Sequence, residues 1–304
     1  RAYRITHLTP QFAALLKSTT DDEVIEQIIK NLSHLAHGYD KQLRGIMQNE
    51  KHGMKLRLTA LSAYAQAAGL KAKPAIADFL SNNTASKSAV ISALGSTVQG
   101  CRILATFVAD KTLGIDEISN GLGRRISHID KKSPAAVAIH KKVQERLAAA
   151  ALASDKRIPE LEKHISITPG NPASGKAIFT GMCLTCHVVG EDGTGIGPAL
   201  DGSSQRDTNH LLTAILKPDA AAENAYILYR AIDSSGHIVE GLKVKQDARG
   251  MTLAHQGGGT VFMPARTLKE QAPVGSVSFM PSGVFDQLPA NVIADIVAYM
   301  KTLK

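Results

Sequence analysis

Cys183-Leu184-Thr185-Cys186-His187 is the stretch on which the reading of this chain turns. Two thiols three positions apart can each add to one vinyl group of the same porphyrin. The next residue, His187, then lies below the ring, where its imidazole can bind iron. The spacing therefore points to one covalently attached c-type haem, anchored by Cys183 and Cys186, with His187 on the metal. A structural zinc site would need four ligands, and no other cysteine lies in this region. A thioredoxin-like dithiol uses the same pair but wants a βαβ setting. Here the expected order is helix, Gly-rich loop, helix.

Outward from the motif, residues 173–180 read as a helix that Asn171 or Ser174 can cap. A Gly-rich loop covers 190–197. The Pro198 carbonyl can accept the His187 Nδ1–H and fix the ring, with Leu200 at the haem edge. A helix at 208–216 stops at Pro218. Tyr226, Leu228, Arg230 and Ile232 then alternate as a strand does. Residues 238–245, 251–255 and 261–264 continue as short strands. The chain returns to helix near Pro289, with Ile293, Ile296, Val297 and Met300 on one face. A second axial ligand is commonly Met or His. Met280, in Ser278-Phe279-Met280-Pro281-Ser282-Gly283, is the best placed. Met263 sits at a strand end, Met182 adjoins Cys183, and Met300 belongs to the apolar face of the last helix.

Residues 1–165 read as helix after helix. Ile28, Leu61 and Leu94 recur 33 residues apart, Leu122 follows, and a second helix accompanies most of them, at 43–47, 76–80 and 103–108. Such pairs suggest an α-solenoid of the HEAT or armadillo kind, with an irregular bundle as the alternative. Residues 154–172, with Pro159, Pro169, Gly170 and Pro172, read as a linker. His34 and His37 share a helix face but lack further ligands at a matching spacing, so they read as surface histidines. Cys101 reads as a small core residue.

The 304 residues carry a net charge of +8, unevenly spread. Residues 1–165 hold 24 basic and 15 acidic side chains, +9, and residues 166–304 hold 11 and 12, −1. Trp is absent and aromatics are 4%, with no nucleic-acid motif, so the basic half reads as a solvated helix face and not as a nucleic-acid site. No run of apolar residues is long enough for a transmembrane segment. The chain starts at Arg1 with no signal-peptide pattern, as a processed product or excised fragment does. Haem of this kind is attached after export, so an exported, periplasmic home is expected.

Taken together, residues 171–304 resemble the haem-binding domain of the PVC-type cytochromes. These are class I-like cytochrome c modules at the C-termini of large exported dehydrogenase-like proteins. The matching pieces are Gly175-Lys176-Ala177-Ile178-Phe179, the Cys183–His187 motif, Gly195-Ile196-Gly197-Pro198, and Arg206 followed by Leu211-Leu212. Further along come Ile215–Pro218, Ser235-Gly236, Glu240-Gly241, Ser278–Pro281 and Ile293–Tyr299. The resemblance implies a first helix crossing the last, with Gly175 and Phe179 meeting Tyr299. It implies Met280 as distal ligand and places Arg206 among the cofactor-binding residues. HEAT-like repeats often precede this domain. No catalytic residue carries over.

The expected fold is thus mainly α. A HEAT/armadillo-like α-solenoid occupies residues 1–165. A class I-like cytochrome c domain occupies 166–304, with a small β-strand insertion at about 226–268. The expected function is electron transfer through one haem c ligated by His187 and Met280. Its partners would be a dehydrogenase donor and a terminal acceptor. The alternatives are a peroxidase-like haem enzyme, with His255 as the local acid–base candidate, and a haem-based sensor or scaffold.

Overall fold

The computed structural model describes residues 14–16, 18–32, 38–256 and 258–304. His34 and His37 lie outside them. The chain is mainly helical with a small sheet, and it divides into two compact units. The first comprises residues 1–146 and 232–238, the second residues 147–231 and 239–304.

The first unit contains α1 (Asp22–Leu32), α2 (Asp40–Gln48), α3 (Met54–Ala68), α4 (Lys73–Asn82), α5 (Lys87–Leu94), α6 (Val98–Ala109), α7 (Asn120–Ile129) and the first turns of α8 (Pro134–Ile167). Each packs on helices one to three places away in the chain. Ile28, Leu61 and Leu94 are all buried, whereas Leu122 is half-buried and Ile126 takes the core position beside it. Several polar bonds join residues at a similar separation. His52 Nδ1 meets Asp22 Oδ1 at 2.7 Å, and the Ser62 hydroxyl donates to the Ala93 carbonyl at 2.7 Å. Gln99 N–H donates to Gln66 Oε1 at 3.0 Å, and Arg125 Nη1 donates to the Gly95 carbonyl at 2.6 Å. Cys101 is fully buried in α6.

Residues 232–238 are a strand-turn segment that belongs to this unit. The Gly236 carbonyl accepts from Val98 N–H and the Ser96 carbonyl from Ile238 N–H, each at 2.8 Å. Asp233 Oδ1 accepts from the backbone N–H of Ser235 and of His237, both at 2.9 Å, which closes the turn.

The second unit begins inside α8, where a linker is expected over 154–172. The finding is a helix as far as Ile167. Ile158, Leu161 and Ile165 fall three and four apart on one face. They enter a core with Phe179, Leu211, Leu212, Ile215, Phe285, Ile293, Ile296, Val297 and Met300. That burial outweighs the helix-breaking tendency of Pro159, which lies on the exposed side, where the freed carbonyl can meet water. Polar contacts fix the same helix. The Ser154 hydroxyl donates to the Leu216 carbonyl at 3.5 Å, and Asp155 Oδ1 accepts from Lys217 Nζ at 2.5 Å.

α9 (Pro172–Met182) starts at Asn171, whose side chain accepts from Ala173 N–H and Ser174 N–H, with Pro172 at the first position. It crosses α11 (Ala290–Met300). A methyl group on Gly175 would stand 1.9 Å from the Asp295 carbonyl oxygen, so only glycine permits this approach. Phe179 and Tyr299 meet edge to face with centroids 5.0 Å apart. Between them lie α10 (Thr208–Leu216) and two sheets. β1 (Val188–Val189) and β2 (Asp192–Gly193) form a short antiparallel pair. The five-stranded sheet has the order β6-β5-β4-β3-β7, from β3 (Ile227–Asp233), β4 (Ile238–Asp247), β5 (Gly250–Ala254), β6 (Thr260–Pro264) and β7 (Leu268–Ser278). β7 does not stand out in the sequence because Lys269, Glu270, Pro273 and Gly275 disguise it. It is an edge strand, where proline and charge are tolerated.

If α8 is part of this core, Leu161→Ala should destabilise the second unit by about 2–5 kcal/mol. Urea denaturation followed by far-ultraviolet circular dichroism would show an earlier transition. An unchanged profile would return this segment to linker status.

Candidate haem-binding site

The Cys183–His187 motif lies in the tight turn that ends α9. Cys183 N–H donates to the Phe179 carbonyl at 2.7 Å, and the Cys183 carbonyl accepts from Cys186 N–H at 3.0 Å and His187 N–H at 2.8 Å. The turn places the two thiols and the imidazole within a single turn of backbone. Neither cysteine is in a disulfide. Cys183 packs against the core built on Phe179, Leu211 and Ile296. Burial, with a smaller contribution from Cys186, pushes its thiol up to about 12.

The Gly-rich loop wraps His187. Its Nδ1 lies 2.8 Å from the Pro198 carbonyl. A carbonyl only accepts, so Nδ1 carries a proton and the neutral ring has its lone pair at Nε2. Gly197 N–H donates to the Cys186 carbonyl at 2.6 Å. A methyl group on Gly197 would stand 3.0 Å from the imidazole ring, and one on Gly193, at φ +108°, only 2.0 Å from the His187 carbonyl oxygen. Leu200 N–H donates to the Val188 carbonyl at 2.9 Å, and its side chain is half-buried against the same core as Cys183.

Met280 also packs on that core. Its own N–H donates to the Ser278 hydroxyl at 3.1 Å. The chain just before it is held on several sides. Ser278 N–H donates to Asp219 Oδ1 at 2.8 Å, and Phe279 N–H to the Tyr226 carbonyl at 2.8 Å. The Phe279 carbonyl accepts from Gln256 Nε2 at 2.6 Å. The Phe279 ring is buried with Leu242 and Ala254, and Ile196 of the Gly-rich loop packs against the same cluster. Motif reading does not reveal Asp219, Gln256 or Tyr226. Their roles come from backbone hydrogen bonds, which leave no spacing in the sequence.

The other methionines stand elsewhere. Met263 is buried in a separate core within the sheet, with Ala231, Val239 and Leu253. Met300 is buried in α11. Met182 adjoins Cys183. Arg206 is exposed, its guanidinium facing His210 Nε2 at 2.6 Å. His255 lies in the turn after β5, where its N–H donates to the Gly259 carbonyl at 3.1 Å. Zinc at Cys183 and Cys186 would require two more donors. Among the described residues no three His, Cys, Asp or Glu side chains gather as such a site needs.

Two thiols outside any disulfide and an imidazole held by a glycine cradle are the groups by which a CxxCH turn would hold a covalent haem. Residues 172–232 match the cytochrome c family. A cytochrome c domain is therefore present, and such a domain implies covalently bound haem c. The match spans the thiols, His187, Pro198, Leu200 and Arg206 and ends before Met280. A comparison with curated proteins returned no match. Cytochrome c domains are usually exported, and among the described residues no helix is long and apolar enough to cross a membrane.

The apolar packing of the half-buried Cys183 has a measurable consequence for the cytochrome c domain. The thiolate is the nucleophile, so a thiol raised to about 12 is nearly inert at pH 8. In folded apoprotein, iodoacetamide should label Cys183 more than about 100-fold more slowly than in urea-unfolded chain. Labelling in the folded state should accelerate as pH rises toward 12. Peptide mapping by mass spectrometry would read both rates. Equal rates would contradict the burial.

Proposed function

We propose that this protein is an electron-transfer c-type cytochrome with one covalently bound haem, ligated by His187 and Met280. The observation that carries the reading is the His187 ring. Its Nδ1 is bound to the Pro198 carbonyl, and Nε2 is left to the metal, beside two cysteines that form no disulfide. When bound, haem c supplies a one-electron ferric–ferrous couple.

The chain's own residues do the rest. Cys183 and Cys186 anchor the porphyrin as thioethers. Pro198 fixes the tautomer of His187 and raises its basicity as a ligand. Leu200 lines the haem edge, and the resemblance to PVC-type domains adds Arg206 as a cofactor-binding residue. Met280 supplies a thioether from a segment gripped by Asp219, Tyr226 and Gln256. Ligation of a bound haem by both His187 and Met280 would favour outer-sphere electron transfer over peroxidase-like chemistry. Thioether ligation raises the potential and suits acceptance of electrons from an exported dehydrogenase and delivery to a terminal acceptor. Polar bonds that each join residues about thirty apart support a HEAT-like array in the first unit, whose basic face would dock such a partner.

Met280→Ala should keep the haem covalently attached and abolish the Met–iron charge-transfer band of the ferric protein. The midpoint potential should fall. A band that survives the substitution would assign the sixth ligand to another residue. A ferrous wild-type protein that bound carbon monoxide readily would favour sensing instead.

A further inference from the structure

The chain between Met280 and α11, residues 281–289, contains neither helix nor strand. Backbone N–H groups reach three of its carbonyls, Asp286 to Gly283 at 3.3 Å, Leu288 to Phe285 at 3.2 Å and Ile293 to Pro289 at 3.2 Å. Three carbonyls of the segment converge on one side chain. Arg157 Nη1 donates to the Phe285 carbonyl at 3.1 Å and to the Asp286 carbonyl at 2.5 Å, and Nη2 donates to the Leu288 carbonyl. A planar guanidinium with several fixed N–H groups can satisfy three acceptors at once, and an ammonium on a flexible stem cannot match that spread. Arg157 is itself anchored, because the next residue, Ile158, enters the core that also holds Phe285. Met280 thus lies between two pinned points. Phe279 and its partners make the first, and Arg157 makes the second.

We propose that Arg157 is a positioning residue for Met280. By holding three carbonyls downstream it keeps the segment from swinging the thioether away from the iron. Its hydrogen bonds go to the backbone at Phe285, Asp286 and Leu288, and it acts through that backbone. The inference rests on Met280 as the axial ligand.

The test uses the complete holoprotein with four substitutions: Arg157→Met, Arg157→Lys, Met280→Ala and Lys217→Met. The last removes the bond to Asp155 on the same helix but leaves the 285–288 carbonyls gripped. Ferric protein is titrated with imidazole, which competes for the sixth position. Affinity is read from the Soret shift and from loss of the charge-transfer band. Arg157→Met should bind imidazole about tenfold more tightly than wild type. Arg157→Lys should fall between the two. Lys217→Met should match wild type in imidazole affinity even where its melting temperature drops as far. If Arg157→Met leaves the affinity unchanged, or moves it no further than Lys217→Met does, the inference is wrong. If Met280→Ala keeps the band and the wild-type affinity, the ligand assignment fails first and the inference falls with it. Should Arg157→Met yield no holoprotein, the same comparison is decided by Arg157→Lys.

Discussion

The close crossing of α9 and α11 is the constraint on which the second unit depends. Gly175 brings one backbone against the Asp295 carbonyl, nearer than any side chain would allow. Gly170 meets the backbone at Ala294 and Asp295 in the same way, and Asn171 N–H donates to Asp295 Oδ1 at 2.7 Å. That register puts Phe179 against Tyr299 and sets where α9 ends. The motif begins at the very next residue, Cys183. The position of the thiols and of His187 is therefore inherited from a helix crossing, and the Gly-rich loop only adds the tautomer and the ring angle.

Met280 reaches the same core by a different route. Nothing in the helix crossing fixes it. It hangs from the end of an edge strand, and the sheet it ends is joined to the Gly-rich loop through Phe279 and Ile196. One side of the site is thus set by helix packing and the other by strand geometry. Sheets rigidify a segment through backbone bonds, which suits a residue that must be delivered from about a hundred positions away in the chain.

Sequence patterns lead directly to some of this and are silent on the rest. Pro218 after an apolar helical run marks the end of α10, and Asn171 before Pro172 marks the start of α9. Gly197-Pro198 suffices to suggest a carbonyl partner for His187. These are local signals, in which a residue type answers a nearby backbone need. The α8 extension escapes because prolines and mixed charge dominate its composition, although Ile158, Leu161 and Ile165 keep helical spacing. β7 escapes because an edge strand need not alternate cleanly. The grip of Asp219, Gln256 and Arg157 on the Met280 segment has no local signature at all. Each bonds to backbone, and any residue could stand at the accepting position.

The division of the chain into compact units has a further implication. Residues 232–238 belong with the helices of the first unit, while the strands on either side belong to the second. The polypeptide therefore passes between the two units three times, at 146/147, 231/232 and 238/239. A cut at 146/147 alone would break the chain there, yet residues 232–238 of the C-terminal fragment would still belong with the helices of the first unit. Separating the cytochrome part from every residue of the first unit would take a cleavage at each junction, and the product would lack the tip of its own hairpin.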